Sequence, residues 1–197
     1  MLKRIALVAG LAFLAGCGAQ PPISEEPKLQ LGDFSLGHNI VVAPKMQKGP
    51  VSREATKEEW IDALTNAFAE RLGRYDGDKL YHLGVSVEGY MLAPGGVPVL
   101  YSPKSVLVLL VTVWDDDDAR KLNDKPHQLV VFENTEADSA LLGSGYTRTR
   151  EEQIAGLSYN AAKQLEAWLA EQHEKYGWFT DNPVFNPPEN DDPLPSQ

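Results

Sequence analysis

Residues 80–92 read LYHLGVSVEGYML, and the period of this stretch decides the fold class. Tyr81, Leu83, Val85, Val87 and Met91 fall on one side, while His82, Ser86, Glu88 and Tyr90 fall on the other. Alternation with a period of two marks a strand with one covered and one wet face, as in antiparallel pairing. Downstream, residues 105–114 read SVLVLLVTVW, apolar on both faces and β-branched, which predicts a central strand. Ile40–Val42, just before Pro44, is a shorter apolar run and a first strand. HQLVVFEN at 127–134 predicts another, and LLGSGYT at 141–147 continues it or adds one more.

On either side of these strands the period lengthens to that of a helix. TKEEWIDALTNAFAERLG at 56–73 opens with a capping box, Thr56 at the N-cap and Glu59 three residues on. Trp60, Ile61, Leu64, Ala67, Phe68 and Leu72 share one face, and Gly73 supplies the stop. A second capping box, Thr149 with Glu152, opens a helix whose stripe is Ile154, Leu157, Ser158, Ala161, Leu165, Trp168 and Leu169, closing near Gly177. Two helices with one greasy face each are satisfied by packing on a single sheet. The expected class is α+β: a mixed or antiparallel sheet of about four strands, both helices on one face, in the order β-α-β-β-β-α.

Composition changes outside this core. The first 16 residues have Lys3 and Arg4, then an apolar run from Ile5 to Leu14, and small residues before Cys17, which is the layout of a secretory signal. The run is about half the roughly 20 residues that a helix needs to cross a bilayer. Residues 17–36 contain proline and are weakly patterned, and read as a tether. Residues 37–177 form the α+β domain, and 178–197 a tail with five prolines, four acids and no base. Such a tail is expected to be disordered, except that Trp178 and Phe179 can dock on the domain's own core.

Cys17 is the only cysteine of the chain. The preceding residues complete the tetrapeptide Leu14-Ala15-Gly16-Cys17, which closely resembles the lipobox of bacterial lipoproteins. The resemblance implies that the Cys17 thiol receives a diacylglyceryl group, that cleavage falls just before it, and that the freed amine is acylated. A thiolate suits this chemistry as a strong nucleophile at modest pKa. One acyl chain binds a membrane only marginally, whereas two or three, at about 0.8 kcal/mol per buried CH2, hold fast. With the one cysteine so used, no intrachain disulfide is available. Gly18 rather than Asp follows it, and by resemblance to the sorting rule of enterobacterial lipoproteins this favours the outer membrane, with the domain facing the periplasm.

Without Lys3 and Arg4 the mature chain has 16 basic and 28 acidic side chains. Phosphates and anionic headgroups repel such a surface, so nucleic acid is not an expected partner, and attachment to the membrane rests on acyl chains. The element order behind the lipobox, together with the turn DDARKLNDK at 117–125, resembles LptE-like proteins and the auxiliary lipoproteins of envelope transport systems. That resemblance spans about residues 38–175 and implies an accessory or scaffold in envelope assembly or lipid transport, with an envelope protein complex as partner. It carries no functional residue with it.

No catalytic set emerges. Asp115, Asp116, Asp117 and Asp118 are the candidate metal ligands, since carboxylates can hold Ca²⁺. An EF-type loop counted from Asp115 would need Gly where Arg120 stands and Glu where Pro126 stands, so a solvated hairpin turn is the reading adopted. GVSVEG at 84–89 has Glu88 where a hydrolase nucleophile elbow needs glycine, and its Ser86 lies in a strand. His38, His82, His127 and His173 show no zinc spacing, and His82 lies roughly 20 Å from Glu88 along a straight strand. No cofactor is expected. The alternative to a non-enzymatic accessory is a lipid-tethered periplasmic hydrolase or small-ligand binder, its site assembled from the 93–104 loop and the acidic turn.

Overall fold

The stretch that opens the strand pattern becomes the hub of the sheet. In the computed structural model, which describes residues 23, 26–94, 104–133 and 148–186, it forms a strand over Lys79–Met91. In chain order the elements are β1 (Phe34–Val42), β2 (Gln47–Lys48), α1 (Lys57–Leu72), β3 (Lys79–Met91), β4 (Val106–Asp115), β5 (Arg120–Lys121), β6 (His127–Phe132) and α2 (Arg150–Tyr176). β1 and β2 both run parallel to β3 along one edge, β3 pairs antiparallel with β4, and β5 and β6 both pair antiparallel with β4.

Among the described residues six strands therefore lie in four lanes. The class is α+β and the sheet is mixed. β2 and β5 are additions that the sequence pattern did not show, since two residues are too few for a period to register. LLGSGYT at 141–147 lies outside the described residues.

Both capping boxes form as expected. The Thr56 hydroxyl accepts from the Glu59 N–H while Glu59 accepts from the Thr56 N–H, and Thr149 and Glu152 repeat the pattern. Gly177, in the left-handed region at φ 63°, ends α2. Trp60, Leu64, Phe68 and Leu72 of α1 and Ile154, Leu157, Ala161, Leu165 and Leu169 of α2 are buried together against Tyr81, Leu83, Val85, Val87, Leu107, Leu109, Val111 and Val113 of the central strands.

The strict alternation of residues 80–92 breaks at one point. Val87 pairs with Leu109, but Gly89 pairs with Val108, so Glu88 is an extra residue and the ladder bulges there. Beyond the bulge the faces exchange. Tyr90, expected on the wet side, is buried, and its hydroxyl donates to the Ala55 carbonyl (2.9 Å) and accepts from the Ala55 N–H (3.0 Å). Met91, expected in the core, is half-exposed.

Both ends of the domain extend further than composition suggests. β1 starts at Phe34, Leu31 and Ile23 are buried, and residues read as tether thus pack on the domain. At the other end Trp178 and Phe179 are fully buried. Phe179 packs edge-on against Phe34 and Tyr81, with ring centroids 5.0 and 4.8 Å apart. Asn186 then donates its N–H to the Leu122 carbonyl and its amide to Asp124.

Candidate functional site

Both helices lie on one face of the sheet, and the opposite face is built from every second residue of four lanes. Across it the register sets Ile40 beside Gly84 and Thr112, and Val42 beside Ser86, Leu110 and Gln128. Val108 stands beside Val130, and Val106 beside Phe132. Ile40, Val42, Val130 and Phe132 are exposed, with Ile40 at 58% and Phe132 at 53%. Ile40 and Val42 stand on one edge lane and Val130 and Phe132 on the other, with Ser86, Leu110 and Val108 between them, and several exposed apolar residues on one face make it a candidate contact surface. β4 is central in the sheet, as its apolar run predicts, flanked by β3 and by β5 and β6. Its second apolar row, however, is not covered by either helix.

A polar cluster closes one end of this face. Gly37 and His38 form a bulge in β1, where Leu36 pairs with Tyr81 but Asn39 with Leu83. A Cβ on Gly37 would come within 2.3 Å of His82 Nδ1, so this close approach requires glycine. The His38 N–H donates to His82 Nδ1 (2.8 Å), and His82 Nε2 lies 2.8 Å from Asp116 Oδ1. Since Nδ1 accepts, Nε2 holds the ring hydrogen and donates it to Asp116. Trp114, which pairs with His82 across the strands, lies beneath the Lys121 ammonium (5.4 Å to the ring centroid). With both nitrogens engaged, the His82 ring positions the β1 bulge and the β4–β5 turn. It has no free nitrogen with which to activate a nucleophile.

The four acids form that turn. Asp115 is buried and its carboxylate accepts from the Asp118 N–H (3.1 Å), Asp116 binds His82, and Ala119 takes a φ of 49° to bring the chain back at Arg120. Burial, followed by the charges of Asp115 and Asp117, pushes the Tyr81 phenol up. Among the described residues no group of three His, Cys, Asp or Glu side chains is placed to hold a metal ion. Among them, too, no helix is long and apolar enough to cross a membrane. Leu14, Ala15, Gly16 and Cys17 lie outside the described residues, as does most of the 93–104 loop.

Among the described residues, the most heavily linked polar group was not apparent from sequence. Arg71, 1% exposed on the apolar stripe of α1, donates to Glu166 Oε2 of α2 and to Glu26 Oε2, both at 2.8 Å. Glu166 also accepts from Arg74 (2.8 Å) and from the Tyr75 hydroxyl (2.6 Å). Tyr159 donates to Glu26, and Arg74 donates to the Ile23 and Glu26 carbonyls, both at 2.8 Å. Burial would raise the Glu26 pKa, but the hydrogen bonds from Tyr159 and Arg71 and the Arg71 charge outweigh it and hold it at about 2. The sole signal in the sequence is a charged residue at 71 on a stripe otherwise made of Leu64, Phe68 and Leu72.

No family model matches this chain, and no curated protein matches it. Its fold is similar to those of several solved structures. Protein XCC0632 from Xanthomonas campestris, of the DUF330 family, is 13% identical over 76% of this chain and 93% of its own, at a TM-score of 0.42. The PelC dodecamer from Paraburkholderia phytofirmans is 12% identical, covering 71% of this chain and 91% of its own, at 0.38. A minor lipoprotein from Acinetobacter baumannii is 16% identical, covering 62% and 93%, at 0.27.

Proposed function

We propose that this chain is a lipid-anchored accessory protein of the bacterial cell envelope, acting in envelope assembly or lipid transport by holding another protein against its sheet. The observation that carries the reading is the helix-free sheet face, where Ile40, Val42, Val130 and Phe132 stay exposed. An apolar surface of this kind costs solubility unless a partner covers it. The anchor is supplied by the lipobox residues Leu14–Cys17, and Gly18 directs the lipidated protein to the outer membrane, facing the periplasm. The acidic balance leaves acyl chains as the means of attachment.

Two measurements test this. Expressed in a bacterial host, the wild-type chain fractionates with membranes and its mature N-terminal peptide has the mass of an acylated Cys17. Cys17→Ser moves it to the soluble fraction. Crosslinking and pull-down of the lipidated protein recovers a defined envelope complex, and clean recovery of the monomer alone argues against the reading. Ile40→Lys and Phe132→Lys together are expected to reduce that recovery at least tenfold, since tenfold corresponds to only about 1.4 kcal/mol and two interface side chains at about 1 kcal/mol each exceed it. As both side chains are exposed, each substitution alters stability by no more than about 0.5 kcal/mol in chemical denaturation.

A further inference from the structure

The stretch between the acylation site and the domain is shorter than its composition suggests. Residues 17–36 as a free tether would reach up to roughly 65 Å. The buried cluster of Arg71, Arg74, Tyr159 and Glu166, however, grips the chain at Ile23 and Glu26, through both backbone carbonyls and the Glu26 carboxylate. Beyond that grip the Leu29 N–H donates to the Tyr75 hydroxyl (3.0 Å), Leu31 is buried, and the Asp33 N–H donates to the Phe179 carbonyl (3.1 Å). Ile23 is only six positions after Cys17. Six residues span at most about 20 Å, and Pro21 and Pro22 favour an extended path without lengthening it. A domain of this size is roughly 40 Å across, so such a leash cannot let it turn over freely.

We infer that the Glu26–Arg71–Glu166 cluster is a clasp that shortens the tether, holding the helix layer towards the bilayer and presenting the free sheet face away from it, to a partner. The partner is a periplasmic protein surface rather than lipid, since the face that carries Ile40, Val130 and Phe132 is turned from the membrane. Lys163, exposed on α2 beside Glu26, marks the near side. Val130 marks the far side. This inference rests on acylation of Cys17.

Photocrosslinking on membranes tests it. A photoreactive amino acid replaces Lys163 in one sample and Val130 in another, in the full-length acylated protein reconstituted in phosphatidylethanolamine–phosphatidylglycerol vesicles. Position 163 is expected to give phospholipid adducts, and position 130 few. Glu26→Ala, combined with Arg74→Ala and Tyr75→Phe to remove the carbonyl and Leu29 contacts as well, frees the chain as far as Leu31, lengthening the leash from six to about fourteen residues. Local concentration falls roughly as the −3/2 power of length, so adducts at 163 should drop about three- to fourfold. Twenty Gly/Ser residues inserted between Ala19 and Gln20 leave the clasp intact and should lower them roughly ninefold. This second variant keeps the test sharp if the combined substitution folds poorly. Equal adducts at the two positions, or adducts unaffected by the insertion, would overturn the clasp. A protein whose Cys17 is found unacylated by mass spectrometry would instead overturn the anchor.

Discussion

Truncation after Gly177 is expected to abolish stable folding. By composition this tail is the most dispensable part of the chain, yet it contributes two of the largest fully buried side chains, Trp178 and Phe179. Phe179 packs edge-on against the stacked pair Phe34 and Tyr81 and stacks near His173, and Trp178 meets Trp168 edge-on at 5.3 Å. Emptying either site costs about 3–5 kcal/mol, and removing both approaches the whole stability of an ordinary domain, about 5–15 kcal/mol. Phe179 is held at a φ of 72°, a strained conformation for a residue with a Cβ, so its contacts outweigh a penalty of roughly 1–2 kcal/mol. Phe179→Ala should lose about 3–5 kcal/mol in urea unfolding. Truncation after Asn186, which removes no described contact, should alter stability by no more than about 0.5 kcal/mol. If truncation after Gly177 gives a domain with a wild-type midpoint, the tail's packing contributes nothing.

Arg71→Ala is the second large effect expected, at about 3–5 kcal/mol. The loss is mainly that of leaving Oε2 of Glu166, which is 3% exposed, and Oε2 of Glu26 without their cationic donor, while Arg74 and Tyr75 still hold Oε1 of Glu166, rather than of the attraction itself. Arg71→Met combined with Glu166→Leu and Glu26→Gln, which removes the charges together, should recover much of that stability. The same cluster sets a pH dependence. Glu26 is held at about 2 against its usual 4.5, so its contribution is fully present above pH 4.5 and is lost as pH falls from there towards 2. Denaturation midpoints should fall over that window, and Glu26→Gln should flatten the fall. A midpoint that is insensitive to both changes would show that the cluster does not hold residues 23–29 to the helices.

The expected helices match the structure closely because their signals are local. A capping box needs four consecutive residues, and the stripes of α1 and α2 are periodic within each segment. Thr56 with Glu59 and Thr149 with Glu152 therefore mark real helix starts. Alternation likewise identified the core side of β3 as far as Val87. It failed at Tyr90 because one extra residue, Glu88, changes the phase, and a bulge depends on what the neighbouring strand offers.

The polar groups were the least visible. His82 was set against Glu88 on its own strand, but its carboxylate partner is Asp116, 34 residues away and delivered by the β4–β5 turn. Arg71 and Glu166 are 95 residues apart, and Arg71 and Glu26 are 45 apart. No periodicity links such pairs.

From sequence alone came the α+β class, the two capped helices and their buried faces, the central place of residues 105–114, and a tetrapeptide at Leu14–Cys17 that resembles a lipobox and is the expected point of acylation. Each depends on residues close together in the chain, where spacing and geometry are the same thing. Tertiary structure alone decided that residues 26–36 and 178–186, read as tether and tail, are fastened to the domain, that one apolar face of the sheet lies outside the helix layer, and which charges meet. Those outcomes follow from contacts between distant segments, and only the packed chain brings them within hydrogen-bonding reach.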